Sequence, residues 1–242
     1  MKIPVDTHTH SIASGHSFST VQEMAYSARK NGIKMFALTD HGIGMPGGPH
    51  VYHFGNLKAI PPKISGVRIL KGAESNIMDF NGTIDIPAEK LKNLDFVLAG
   101  FHDICLMPGS REDHTLALIR VLENPLIDAI SHPGNPQYPI DIDRVVRAAR
   151  DNRKMLEINN SSFTVRTGSS ENCYAIARKC MEQGVRMVCG SDAHISFDIG
   201  NFDNIRKLFK EVGMPEELVL NTSVKKFEAY LEEKKERIES AS

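Results

Sequence analysis

Short apolar runs rich in β-branched residues alternate along this chain with segments of helical period, and most of the runs end in a histidine or an acid. The strand-like runs are 3–6, 34–39, 67–72, 96–101, 126–131, 154–158 and 186–189. Helical patterns occupy 19–31, 111–123, 141–152, 169–183, 202–212 and 224–240. Ser19 or Thr20 can cap the first of these, Asp141 or Asp143 the third, and the run Ser169-Ser170-Glu171-Asn172 the fourth. Asn81-Gly82 marks a tight turn, so 77–86 reads as a small hairpin. Seven strands joined by helical crossovers predict an α/β fold whose parallel sheet closes, or nearly closes, into a barrel. A length of 242 residues suits one such domain. The barrel is expected over about 2–222, followed by a C-terminal surface helix at about 223–240 whose interleaved charges suit a solvated face.

In barrels of this kind, functional groups sit at the C-terminal ends of the strands. The first strand runs into Asp6-Thr7-His8-Thr9-His10, and residues two apart in an extended segment point to the same side. His16 follows in a Ser/Gly-rich loop. His41 ends the second strand, Glu74 the third, His102 the fourth and His132 the fifth, while Asp192 and His194 close the last, again two apart. Nine such residues at successive strand ends are not explained as separate polar side chains. Imidazole and carboxylate together suit zinc, manganese or iron. Nine donors exceed the needs of one ion, so a cluster of two or three divalent ions is expected, with Glu74 and Asp192 available as bridging and water-activating carboxylates. Asp6 and Asp40, each next to a candidate ligand, could orient an imidazole through its second nitrogen or serve a turn. His50 and His53 lie in a loop and could meet substrate or stand exposed; His114 falls inside a helical pattern and reads as surface.

Composition excludes several other chemistries. Lys+Arg of 29 against Asp+Glu of 30 leaves no global basic excess for a nucleic-acid backbone. No apolar run approaches the ~20 residues of a membrane-spanning helix. The start turns polar too quickly for a signal peptide. Four cysteines without a Cys-x-x-Cys pair read as reduced thiols, and the expected location is cytoplasmic. There is no G-x-x-x-x-G-K-[ST] loop and no G-x-S-x-G elbow, and Cys105 lacks the surroundings of a phosphatase nucleophile.

The DTHTH start, TDH at 39–41, Glu74, the FH and SHP motifs and the GSDAH close resemble the PHP (polymerase and histidinol phosphatase) family from residue 5 to about 203. SHPGNP, EINNSS and AGFH look most like its YcdX-type branch of small bacterial phosphoesterases. The resemblance implies a distorted, TIM-like (β/α)7 barrel with a trinuclear centre at the C-terminal ends of the strands, most often three zinc ions, with manganese or iron as alternatives. Carried across by residue, it implies one ion held by His8, His10, Glu74 and Asp192, a second shared by Glu74 with His102 and His132, and a third on His16, His41 and His194. It further implies a small phosphorylated substrate. Trimers among relatives make a homo-oligomer an expectation of the resemblance and not of the composition.

Clustered ions with open positions lower the pKa of a bound water and polarise a phosphoryl oxygen. The expected reaction is therefore attack of a metal-activated hydroxide in line on a small phosphate monoester, without a covalent enzyme intermediate. Arg166, after the 154–158 strand, could clamp the phosphate. A histidinol-phosphate phosphatase is one version of this reading. A phosphodiesterase or 3′–5′ exonuclease is the alternative, disfavoured by the near-neutral charge, and a non-catalytic metal-binding protein would be expected to have lost some of the nine residues.

Overall fold

The computed structural model describes residues 1–240 of the chain. Its strands are β1 (Val5–Thr9), β2 (Met35–Leu38), β3 (Lys63–Ile64), β4 (Val67–Asn76), β5 (Phe96–Gly100), β6 (Ala129–Ile130), β7 (Met155–Asn159) and β8 (Met187–Gly190). Seven of them lie parallel in the order β1-β2-β4-β5-β6-β7-β8, a nearly closed barrel, and β3 pairs antiparallel with β4. The helices are α1 (Val21–Lys30), α2 (Tyr52–Asn56), α3 (Ala88–Leu91), α4 (Arg111–Glu123), α5 (Ile142–Asp151), α6 (Ser162–Val165), α7 (Ser169–Gln183), α8 (Asp203–Val212) and α9 (Val224–Ser240). The β2-to-β4 and β4-to-β5 crossovers carry only α2 and α3, so the outer helical layer thins on that side and the barrel is distorted.

Local chemistry accounts for the long elements. Thr20 with Glu23, and Ser110 with Asp113, form capping boxes that satisfy the first free N–H groups of α1 and α4. Asp141 caps α5 by accepting the Arg144 N–H. The serines at 169 and 170 do not cap α7: the chain enters it through Gly168 in the left-handed region, and Ser169 is buried. β6 is shorter than expected because Ile127 is still in a turn from Asn124 and His132 breaks the strand at φ 32°. The 77–86 segment does fold back on itself, with an Ile77–Ile84 bridge and Gly82 in the turn.

Strand alternation separates two apolar layers. Val5, Met35, Ala37, Leu70, Phe96, Leu98, Met155 and Val188 fill the lower barrel, while the alternate residues pack outward beneath the helices. α9 closes the barrel floor, so the expectation of a purely surface helix needs correction. Phe227, Tyr230 and Leu231 join the interior cluster, and the Lys234 ammonium meets the fully buried Asp128 carboxylate at 2.6 Å. Its charged residues fall on both faces, and the inward ones are paired. His114 is also buried, not surface: its Nδ1 lies 2.9 Å from the Pro139 carbonyl and its Nε2 accepts the Gly109 N–H at 2.8 Å.

The seam between β8 and β1 is closed mainly by side chains and loops. Asn221 donates to the carbonyls of Val5 (3.0 Å) and Cys189 (2.9 Å) and accepts the Cys189 N–H at 2.8 Å. Nearer the mouth, the Asp192 N–H reaches the His8 carbonyl and the His10 N–H the Ala193 carbonyl, each at 2.9 Å. These bonds bring the two ends of the chain's motif set together. Among the described residues, no helix is long and apolar enough to cross a membrane.

Candidate metal centre

Above the apolar floor, the inward positions of the strands turn polar. Glu74 from β4 and Glu157 from β7 project into this layer beside His8, and all three are essentially without solvent exposure. Gly190 of β8 makes room for them, since a Cβ there would lie 2.0 Å from Glu157 Oε1 and 2.4 Å from the His8 Cβ.

All nine strand-end side chains are gathered in one contiguous cluster. Glu74 is its hub: Oε2 lies 3.2 Å from His8 Nε2, 3.6 Å from His10 Nε2 and 2.9 Å from His41 Nδ1. Oε1 lies 3.4 Å from His102 Nε2 and 2.8 Å from His132 Nε2. Asp192 Oδ1 is 3.5 Å from His8 Nε2, 3.3 Å from His10 Nε2 and 3.5 Å from His194 Nδ1. His16 enters through His194, with their Nε2 atoms 3.1 Å apart. Two of these residues, His132 (φ 32°) and Asp192 (φ 59°), hold left-handed backbone conformations, which surrounding structure must enforce and which concentrate at functional sites.

The donor set fits divalent cations. His8 Nε2 and His10 Nε2 face each other at 3.0 Å. Nitrogens about 2.0–2.1 Å from a common tetrahedral ion would stand roughly 3.3 Å apart. His41 Nδ1, Glu74 Oε2 and His102 Nε2 are buried without a hydrogen-bond partner, a costly arrangement unless a cation takes the lone pairs. Three groups have ligand atoms close enough to share an ion: His8, His10 and Glu74; His41, Glu74 and His102; and His10, His41 and His194. The last uses His10 where the family resemblance has His16.

Protonation favours the same reading. Burial would raise the Glu74 carboxyl, but His8, His102 and His41 hold it well below the usual range. Burial also opposes ionisation of Asp192, and His8, His10 and Arg166 overcome it. Burial, with His41 and His194 nearby, pushes His10 well down, and burial with Arg166 brings His132 to about 4. Neutral imidazoles beside ionised carboxylates are what cation binding requires. His8 differs: burial works against its charge, yet Glu157, Glu74 and Asp192 raise it well above its ordinary value. Three carboxylates converging on one imidazole mark a place for positive charge.

The supporting contacts differ from the sequence expectation. Asp40 touches none of the seven imidazoles of the cluster; it accepts from Ser14 Oγ at 2.8 Å, and Ser14 Oγ is 3.0 Å from His10 Nδ1. Asp6 accepts the backbone N–H groups of Ser191 and Gly200, tying loops together. The direct orienting acid is Glu157, which the sequence reading passed over. Its Oε1 is 2.8 Å from His8 Nδ1 and its Oε2 accepts the His132 N–H at 2.7 Å. The available signal was a lone acid at an inward position of an apolar strand. Asn159, which the sequence places with Arg166 at this mouth without assigning it a role, donates to Asp192 Oδ2 at 3.2 Å.

A cavity of about 640 Å³ opens over the cluster, with His16, His41, His102, Asp192 and His194 at its base. Arg166 lines it, its guanidinium 3.2 Å from Asp192 Oδ2. His50 and His53 do not line it. His50 stands exposed against Tyr52, and His53 Nε2 faces Asp40 Oδ2 at 3.2 Å. Cys105 is no nucleophile in waiting: burial, with Asp85, Asp103 and Glu74 nearby, pushes its thiol up to about 11.

Known proteins agree with this architecture. The chain is 63% identical over 238 residues to a "probable phosphatase" of Acetivibrio thermocellus, covering 98% of this chain and 99% of that protein. It is 56% identical over 240 residues to another "probable phosphatase", from Caldanaerobacter subterraneus subsp. tengcongensis, covering 98% and 94%. Among solved structures, the histidinol phosphate phosphatase of Lactococcus lactis, complexed with zinc, L-histidinol and phosphate, superposes with a TM-score of 0.60 at 17% identity, covering 89% of this chain and 95% of that one. At that identity the likeness speaks for the fold. The PHP domain model matches residues 6–161, and with relatives this close over nearly the full length, the chain belongs to the PHP family.

Proposed function

We propose that this chain is a metal-dependent phosphatase that hydrolyses small phosphate monoesters at a trinuclear centre. The observation that carries the reading is the split environment of Glu74, whose two oxygens face different sets of imidazoles, His8, His10 and His41 on one side and His102 and His132 on the other. A carboxylate so placed suits a bridge between two ions, and His194 with His16 adds donors for a third. Zinc suits these ligands first, and manganese or iron would be accepted by the same donors. Bound ions would supply an activated water, polarise the phosphoryl group and neutralise the leaving oxygen.

The chain's own residues then have separable tasks. Glu74 and Asp192 supply the negative charge that holds the ions. Glu157 keeps His8 turned with Nε2 toward the centre. Arg166 lines the cavity beside Asp192, to which both of its terminal nitrogens donate, and would supply the positive charge for phosphate oxygens there. The lining also includes the apolar side chains Met45, Pro46, Ile104 and Val165. The exonuclease alternative gains no support from the cavity, where Arg166 is the one Arg or Lys side chain among the lining residues.

Elemental mass spectrometry of the purified protein, paired with a monoester hydrolysis assay, tests the proposal. Close to three ions per chain are expected, with activity lost on chelation and restored by the metal found. Glu74→Ala is expected to lose ions and at least about 1000-fold in rate, because a bridging carboxylate has no substitute here. A protein holding one ion or none after reconstitution with zinc, manganese and iron, or Glu74→Ala with full metal and rate, would overturn it.

A further inference from the structure

The cavity is asymmetric along its depth. At its base lie the imidazoles and Arg166; its apolar lining is the buried Met45 together with the exposed Pro46, Ile104 (63% exposed) and Val165 (69% exposed). Ile43 and Met107, in the loops that carry Met45 and Ile104, are exposed as well. Apolar side chains left open beside a polar site mark a surface that some apolar group covers. A phosphate group would occupy only the base of a 640 Å³ space, so most of the cavity is left for the alcohol portion of an ester.

Charge narrows the class. Arg166 is the one Arg or Lys among the lining residues, and its place at the base commits it to the first phosphate. The outer charged residues are Asp103 and Asp198, both exposed carboxylates that would repel a second phosphate. The uncharged polar side chain in the lining, Ser161, already donates to the Ser191 carbonyl at 2.9 Å.

We infer that the centre prefers monophosphates of uncharged, apolar alcohols, with the phosphate at Arg166 and the cluster and the hydrocarbon against Ile104, Val165, Met45 and Pro46. This rests on the phosphatase reading above and assigns its substrate class. The apolar wall acts on binding and not on chemistry, so preference will appear mainly in KM and in the affinity of inert analogues.

The test uses the metal-loaded protein and a series of primary alkyl monophosphates from ethyl to hexyl. All release primary alcohols, so the leaving group stays chemically constant. Each methylene laid on the wall is expected to raise kcat/KM roughly twofold to threefold, giving at least about tenfold from ethyl to hexyl. Calorimetric binding of hexylphosphonate should exceed that of ethylphosphonate by a similar factor, and an Ile104→Ser/Val165→Ser double variant should reduce both ratios below about threefold. Equal kcat/KM across the series in an active enzyme overturns the assignment, as does a preference for glucose 6-phosphate or for hexane-1,6-diyl bisphosphate over hexyl phosphate. If metal-loaded protein hydrolyses no monoester at all, the phosphatase reading fails instead. The phosphonate ratio then still decides the apolar wall: a ratio near one overturns it, and tenfold supports it.

Discussion

The Glu157 carboxylate meets the His8 imidazole at 2.8 Å, Oε1 to Nδ1, with neither side chain exposed to solvent. This contact fixes both the tilt of the ring and which nitrogen faces Glu74. The other carboxylate oxygen holds the backbone N–H of His132, so one acid positions residues from two strand ends. Glu157→Gln preserves volume but turns one of these acceptors into a donor. We expect metal affinity or kcat/KM to fall about 10- to 100-fold, with a far-UV spectrum like that of the parent protein. Zinc titration against a chelator of known affinity would measure it. Parental affinity and rate in Glu157→Gln would remove the residue from this role.

Arg166 presents a different balance. It pairs with Asp192 and also contacts Asn159 Oδ1 and Ser162 Oγ at 3.4 and 3.3 Å, so part of its hydrogen-bonding capacity is spent inside the protein. Arg166 also lines the cavity. Arg166→Ala should raise KM by about 10- to 100-fold, the loss expected for charge-assisted hydrogen bonds to an anion. Metal stoichiometry should stay at the parent value. Steady-state kinetics with a parallel metal measurement separate the two; loss of ions with unchanged KM would make Arg166 a structural partner of Asp192 and no more.

The strand-end histidines are legible in the sequence because two regular patterns point at them. Alternation by two places His8 and His10 on one side, and the strand-to-loop boundary places the others at one mouth. Their supporting groups follow no such pattern. Glu157 sits inside an apolar strand, where a sequence reading counts it as part of the run. Ser14 connects Asp40 to His10 only because a loop returns across 26 residues. The floor helix is hidden for a related reason: Phe227, Tyr230, Leu231 and Lys234 form one helical face, but Lys234 counts as solvated until Asp128 is seen beneath it. Contacts between distant segments, and charges paired out of sight, are what local pattern leaves out.

Asn221 holds the barrel seam through three hydrogen bonds to backbone groups of β1 and β8. No strand pairing replaces them at that level, and the side chain is fully buried. Asn221→Ala would leave two carbonyls and one N–H with reduced or no pairing. A destabilisation of about 2–5 kcal/mol is expected. Urea unfolding followed by circular dichroism would report it as a lower midpoint with a similar slope. A loss below about 0.5 kcal/mol would mean that the seam closes without this residue.

Lys154 gives the fold a pH dependence that is separate from the metal centre. Its ammonium nitrogen donates to the carbonyls of Asn124 and Ile127 at 2.8 and 2.5 Å, and the residue is 3% exposed. Burial, and after it the charge of Arg237, brings its pKa down from 10.5 to about 7. In the unfolded chain the lysine keeps its proton until about pH 10.4. Between these values the unfolded state therefore binds more protons than the folded one, and stability rises with pH. Below pH 7 the folded protein carries the buried charge and the cost is present in full; it is relieved as pH climbs through the window. The group contributes a slope of at most about 1.4 kcal/mol per pH unit. Urea midpoints at pH 7 and pH 9 should thus differ by less in Lys154→Met than in the parent, by about 1–3 kcal/mol once converted through the unfolding slope. The same increment in both proteins would show that Lys154 keeps an ordinary charge where it lies.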